Sequence, residues 1–443
     1  YIAKLRDPLR NYLDSTGLTQ RVRCIVMTKG LPHRIQDLGP NPNAGDQPAQ
    51  AAALINAGNL TYASVDSELT LLWQSLSATE LGNGADSKAD GGVVNPYFKS
   101  SQTVTAYSSA NITAAKSLLT VPGNVGILWR SLPSGPTGVT PGDIYLVCRL
   151  DGNSVGDVVG DIDRAQNIAV DLDHSVMLLD ESGSNGIQNI SDTDGELDND
   201  GPVTYTNAGD DYEQTRDLAL SDGRFAPANI KYNPWGGANQ FYVGPRLDFG
   251  GGIVEGGDVV LLASYGNNHA GTPGNAGTQN PKSFFYAQGA TFNTIESYNG
   301  RSFGGIGVGA VPQGQLADFI GAGGTFGIGN VWEPFSFSVP DNLAIVRNFY
   351  LGSLTWGEAA YTALPLLSWQ QIVVGDPLAK VRRAQEDING DARTDVDDLY
   401  AWYAPTGQRR DLNHDGQINA TDVDLLRGSV RGNESGNMRV VER

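Results

Sequence analysis

The chain has 443 residues, of which 40% are hydrophobic and only 18% charged, with 56 glycines and a formal net charge of −19. That length allows one large domain and a small one, while the negative excess argues against nucleic acid and anionic membrane as partners and suits divalent cations. Two cysteines cannot build a disulfide scaffold, and no run of about 18 apolar residues offers a membrane span.

Residues 2–13 carry Leu5, Leu9 and Leu13 at helical spacing, with Pro8 restarting the helix and Gly17 as its stop. Residues 21–28 are a short apolar run holding Cys24, and it stops at Lys29-Gly30-Leu31-Pro32 as a buried parallel strand does. Residues 36–60 are rich in Asn, Ala and Gly and read as loop. Ser64 and Ser67 are both cap candidates for a helix reaching Trp73, with Asp66 and Glu68 favourable in its first turn. Residues 76–140 have no strong period. A second strand over 143–149 holds Cys148, runs into Arg149-Leu150-Asp151-Gly152, and is followed by a helix over 157–170. Both cysteines lie in apolar runs and are expected as buried thiols.

A third strand covers 175–179. Strand, helix and strand in this order point to a parallel α/β sheet. Asp192, Asp194, Glu196, Asp198 and Asp200 alternate through a Gly-flanked loop, which reads as a solvated acidic loop or a third cation site. Further strands are expected over 258–265, ending in Gly266-Asn267-Asn268-His269, and over 291–298, ending in Asn299-Gly300. Helices follow near 314–320, 341–351 and 355–363. The last apolar run, 372–374, stops at Gly375-Asp376-Pro377. Residues 1–380 thus read as one α/β body, a mostly parallel sheet flanked by helices with long Gly-rich insertions.

Residues 384–430 form a separate unit, followed by a tail over 431–443. Two twelve-residue stretches share one template. The first is Asp387, Asn389, Asp391, Asp395 and Asp398 at positions 1, 3, 5, 9 and 12; the second is Asp411, Asn413, Asp415, Asn419 and Asp422. Calcium takes about 6–8 oxygen ligands around one point. Alternating side chains at positions 1, 3 and 5 deliver them from a tight loop, and the main-chain carbonyls of Arg393 and Gln417 supply position 7. Gly416 stands at the sharp turn of the second loop, where the first has Ala392. The pattern predicts two Ca2+ sites, each followed by a helix: Val396, Leu399, Tyr400 and Tyr403 fall at helical spacing, as do Val423, Leu426 and Val430. A module this short buries little apolar surface, so metal binding should contribute to its folding.

Asp at position 12 in both copies gives this unit a resemblance to dockerin type I modules, which pair two EF-hand-like loops. The resemblance implies an extracellular setting and, as one use, a cohesin-like partner. The segments Val26-Met27-Thr28-Lys29-Gly30-Leu31-Pro32, Ser64-Val65-Asp66-Ser67-Glu68-Leu69, Arg149-Leu150-Asp151-Gly152 and Val374-Gly375-Asp376-Pro377 resemble an uncharacterised secreted bacterial family. It is found in species with the exosortase surface-sorting system. Members usually have a further N-terminal strand and helix, so the chain reads as a processed form. More distantly, the layout is similar to the caspase/gingipain fold, in which one strand ends in a catalytic His and the next in a catalytic Cys.

The second of those strand ends carries no cysteine here. The nearest substitute is His269 as base, Ser297 as nucleophile and Glu296 or Asp258 as orienter, and a Ser–His pair of this kind needs hydrogen-bond contact and an oxyanion hole. A plain loop histidine is the simpler reading of His269. The remaining histidines, His33, His174 and His414, show no zinc-ligand spacing. The expectation is therefore a non-catalytic, calcium-binding extracellular protein of a bacterial surface layer or filament that associates with itself. The alternative is a secreted hydrolase with a gingipain-like body, anchored through a dockerin–cohesin type interaction.

Overall fold

The computed structural model describes residues 2–33 except 20, 63–73, 93–104 except 96, 144–180 except 167, 169 and 173, 212–233, 240–246 except 243, 258–264, 276–307 except 295 and 305, 314–332, 339–381 except 368, 386–390, 394–430 except 414, and 440–442. The loop expected over 36–60 and the acidic run 192–200 lie outside these residues.

Eight strands form the central sheet: β1 (Cys24–Thr28), β2 (Leu146–Leu150), β3 (Val176–Asp180), β4 (Ile230–Asn233), β5 (Val259–Ser264), β6 (Tyr286–Asn293), β7 (Phe326–Asn330) and β8 (Gln371–Val374). Their order across the sheet is β1-β2-β8-β7-β6-β5-β3-β4. Neighbours are parallel throughout, except that β7 and β8 are antiparallel. The sheet therefore consists of two parallel blocks pointing in opposite directions, β1, β2 and β8 in one and β3 to β7 in the other. At the seam, β8 pairs with β7 from Gly327↔Val374 to Asn330↔Gln371 and with β2 at Val374↔Arg149. Strands such as β3 and β5 are buried along their whole length, which matches their unbroken apolar runs.

Helices cover both faces. α1 (Asp7–Ser15) and α2 (Val65–Thr70) pack Leu13, Val65 and Leu69 against Met27, Tyr145 and Val147. Further along, α5 (Leu316–Gly321) puts Leu316, Phe319 and Ile320 against Phe292, Ile372 and Val374. The opposite face meets α4 (Tyr212–Asp222), α6 (Asn342–Ile345) and α7 (Trp356–Ala363) around Leu146, Cys148, Phe326 and Val373. α3 (Val155–Gln166) follows β2.

Local chemistry explains the boundaries. Pro8 lies in the first turn of α1, after a π-type turn at Ile2–Arg6, where its missing N–H costs nothing. Ser64, not Ser67, caps α2, accepting from Ser67 N at 2.9 Å. A reciprocal Thr355–Glu358 capping box starts α7. One strand is displaced from expectation: β6 spans Tyr286–Asn293 rather than 291–298. Its carboxyl end turns at Thr294, whose hydroxyl and carbonyl accept from Asn299 Nδ2 at 2.8 and 3.0 Å. Cys148 is buried as expected and Cys24 half-buried; both are free thiols. Burial raises the Cys24 thiol to about 11. Among the described residues, no helix is long and apolar enough to cross a membrane. Val440–Glu442 pairs antiparallel with Gln240–Tyr242, so the tail returns to its own body.

Candidate functional site

Two helices follow the acidic loops, α8 (Val396–Tyr403) and α9 (Ala420–Ser429). Their small core joins Ile388 and Leu412, the second residue of each loop, to Trp402, Val423 and Leu426. The inward face of α8 differs from the sequence reading. Leu399 and Trp402 face the core, whereas Val396, Tyr400 and Tyr403 are 51%, 71% and 57% exposed. The cause is Asp398, which turns inward to serve the loop and so fixes positions 398 and 402 on the buried side.

The two loops share a hydrogen-bond scheme. Asp398 Oδ1 accepts from the N–H groups of Ile388 (2.7 Å) and Asn389 (3.0 Å), and its Oδ2 accepts from Asp395 N (2.9 Å). Asp422 Oδ1 likewise accepts from Leu412 (2.8 Å) and Asn413 (3.3 Å), and its Oδ2 from Asn419 N (2.7 Å). In both copies, then, the position-12 carboxylate holds the N–H groups of positions 2, 3 and 9. Positions 9 and 12 also form the capping box of the following helix. Position 1 closes the loop start: Asp387 Oδ1 accepts from Gly390 N at 2.6 Å, and Asp411 Oδ2 from Gly416 N at 2.7 Å.

The copies differ at the turn. The left-handed glycine is Gly390, position 4, in the first loop and Gly416, position 6, in the second, both at φ 82°. Burial pushes the Asp398 carboxyl above its ordinary range, while the N–H donors hold Asp422 below it. Asp415 accepts from Gln417 N at 2.8 Å and from Asn413 Nδ2 at 3.0 Å, so positions 3, 5 and 7 are in mutual contact in the second loop. Asp391, Ala392, Arg393 and His414 lie outside the described residues. Among the described residues, no group of three or more His, Cys, Asp or Glu side chains is gathered as a metal cluster.

The hydrolase candidates fare differently. β5 and β6 are adjacent and parallel, with Leu261↔Thr291 and Leu262↔Phe292 in register. Glu296 and Ser297 follow the carboxyl end of β6, and His269 lies outside the described residues. Asp258 is at the other end: it precedes β5 and its carbonyl accepts from Val176 N at 3.0 Å. A strand's length separates it from the Ser297 end, so it is not an orienter for that pair. Around Ser297, Tyr298 adopts a left-handed φ of 62°. The Arg301 guanidinium lies 4.9 Å from the Tyr298 ring and 5.1 Å from the Trp332 ring. Buried amides fill the space behind: Gln371 Nε2 donates to Asn330 Oδ1 at 3.0 Å, and Asn330 Nδ2 to Glu296 O at 3.1 Å.

The four motif segments of the body meet around one side chain that spacing alone does not single out. Arg149, fully buried, donates from Nε and Nη2 to Asp66 Oδ2 at 2.9 and 2.7 Å. It also reaches Leu31 O at 3.0 Å and Pro32 O at 2.6 Å. Its own carbonyl accepts from Gly375 N at 2.7 Å. Beside it, Lys29 Nζ donates to Gly152 O at 2.6 Å and lies 3.4 Å from Asp151 Oδ1. The charges thus pair at the carboxyl ends of β1, β2 and β8, an arrangement that holds strand ends together, while Asp66 Oδ1 stays buried without a hydrogen-bond partner and burial pushes that carboxyl up. The chain matches no protein-family model, and no curated protein or solved structure resembles it at a significant level.

Proposed function

We propose that the protein is a non-catalytic, calcium-binding extracellular component of a bacterial surface layer or filament, with residues 384–430 as a dockerin-like calcium module and copies of the chain as its main partner. The observation that carries this reading is the repeated loop scheme. Two stretches 24 positions apart, Asp387 to Asp411, place oxygen-bearing residues at the same five positions, identical except for Asp395 against Asn419 at position 9. In each, a position-12 carboxylate draws the amide N–H groups of positions 2, 3 and 9 inward. Oxygen-bearing side chains at positions 1, 3, 5, 9 and 12 of each stretch suit a hard cation such as Ca2+. The acidity of the chain agrees with that chemistry. Titration calorimetry should give two calcium ions per chain, and chelator should melt 384–430 while the α/β body stays folded. A melting profile indifferent to excess chelator would remove the proposal.

One observation favours a hydrolase as the second reading. β5 and β6 are parallel neighbours, so the segments carrying His269 and Ser297 leave the sheet from adjacent strands. This reading gives the body a gingipain-like role and the module a cohesin-like partner. Stoichiometric labelling of Ser297 by a serine-directed probe, lost in His269→Ala, would favour it over the assembly reading.

A further inference from the structure

Helix α3 carries an acid on its packed face, where Val158 and Ile162 are half-buried. Its buried side chains are Asp161 and Ala165, while Val155 and Val159 are 68% and 51% exposed. An apolar stripe normally faces the core and the acids face water. Asp161 is itself fully buried, and neither of its carboxyl oxygens has a hydrogen-bond partner. A buried polar group without a partner calls for a reason. Burial, with a smaller push from Asp376, raises this carboxyl to about 8 against the pull of Arg164, so it is a neutral acid at neutral pH.

The ends of α3 are tethered differently. At the amino end Ser154 and Asp157 bond reciprocally, Ser154 N to Asp157 Oδ2 at 2.8 Å and Asp157 N to Ser154 Oγ at 3.1 Å. At the carboxyl end Arg164 donates to Ile320 O at 3.1 Å and to Gly324 O at 3.0 and 2.7 Å. That guanidinium ties α3 to the end of α5 and to the approach to β7. Arg164 stands three positions after Asp161, on the neighbouring turn of the same side. Gly160 gives it room, because a Cβ there would stand 2.9 Å from Arg164 Nη1.

We propose that α3 is a pH-operated clasp, closed while Asp161 keeps its proton and Arg164 holds the carbonyls of Ile320 and Gly324, and opened when Asp161 loses its proton to solvent and draws Arg164 away into an i,i+3 ion pair. The new pair turns outward into water, and the helix loosens from the sheet. Among the described residues, few other charges face Asp161. Asp376, in the turn after β8, opposes the anion. On α3 itself, Asp157 and Asp163 support the charge of Arg164. From α5, Asp318 is engaged by Asn153 at 2.7 Å and Lys282 at 3.4 Å. From β2, Arg149 is paired with Asp66 and Asp151, and β6 has no charged residue. Of the apolar side chains of α3 only Ala165 is fully buried, so the apolar contacts that oppose the opening are few. Asp157, at the other end of the helix, lines a polar cavity of about 390 Å³ with Asn153, Arg246, Lys282 and Asp318.

Hydrogen exchange of residues 155–166 in the full chain, corrected for base-catalysed intrinsic rates, tests the clasp between pH 6.5 and 9.5. Protection should fall at least tenfold between pH 6.5 and about pH 8 in the native chain and level off above that, and it should stay constant in Asp161→Asn. A carbon-13 titration of the Asp161 carboxyl in the unsubstituted protein should report deprotonation over the same range, without relying on the variant's folding. Unchanged protection in the native chain at pH 9.5, or a carboxyl already ionised at pH 6.5, would overturn the proposal. Equal loss of protection in native and Asp161→Asn proteins would overturn it as well.

Discussion

At the scale of single residues, Arg149 is where the body is most exposed to damage. Its guanidinium joins β2 to α2 and to the turn after β1, through partners 83, 118 and 117 positions away. Removing one member of a buried ion pair leaves the other charge without compensation. Arg149→Met should therefore destabilise the body by about 3–5 kcal/mol in urea unfolding. The double variant Arg149→Met, Asp66→Leu should recover part of that loss. If the double variant is no more stable than the single, the cost lies in the lost carbonyl contacts rather than in the stranded carboxylate. The strand ends at Lys29, Arg149 and Gly375 were legible in the sequence, because Gly, Pro and charge punctuate apolar runs. Their convergence was not, because long-range contact leaves no trace in local spacing. Asp161 was likewise unreadable: an acid in a helical run looks solvated until the helix is placed.

Elements divide along the same line. Those with strong local chemistry were legible, including the apolar strands β3 and β5, a serine cap at Ser64 or Ser67, and the helices that follow the acidic loops. α4 and β4 were missed. β4 has four residues, Ile-Lys-Tyr-Asn, too few for alternation to stand out, and α4 places buried Tyr212 and Ala219 among polar neighbours. The strand expected over 291–298 was placed late because the run beginning at Tyr286 is interrupted by Gln288 and Gly289. Between helix and loop, Asp398 does two jobs, as N3 of a capping box and as the anchor for two loop N–H groups. Asp398→Ala should cost the metal-free module about 2 kcal/mol or more through the lost bonds and should also weaken calcium binding at the first loop. Asp391→Ala should weaken calcium binding without the same effect on metal-free stability. Thermal melts with and without chelator separate the two. Equal metal-free stability for both variants would contradict the double role of Asp398.

For the whole molecule, charge sets the terms of association. A net charge of −19 makes copies of the chain repel one another. Two bound calcium ions would offset 2 × 2 = 4 of those charges by formal count, concentrated on one small module. Its α8 presents Val396, Tyr400 and Tyr403 to solvent, an apolar row four and then three positions apart. We expect light scattering to rise in millimolar-range calcium, with electron microscopy showing regular assemblies that disperse on chelation. Tyr400→Glu should suppress assembly while leaving two calcium ions bound. A chain that stays monomeric at high concentration with both sites filled would direct attention to a different partner. The parallel sheet could be anticipated from strand, helix and strand in sequence, but the reversal of direction at β8 could not, since orientation is settled by pairing.

That reversal bears on how the chain comes into being. β8 is the last strand of the sheet to be synthesised, and it lies between β2 and β7, whose partners were made long before. Until residues 371–374 leave the ribosome, the two blocks share no strand, and β2 has an unpaired edge. Vectorial synthesis at about 5–20 residues per second therefore cannot complete this sheet strand by strand. The two blocks can join only after β8 is made, through pairings distant in sequence, which is the slow regime of folding. Under the extracellular role proposed above, that delay would keep the polypeptide threadable through a translocation channel until nearly its whole length had been made.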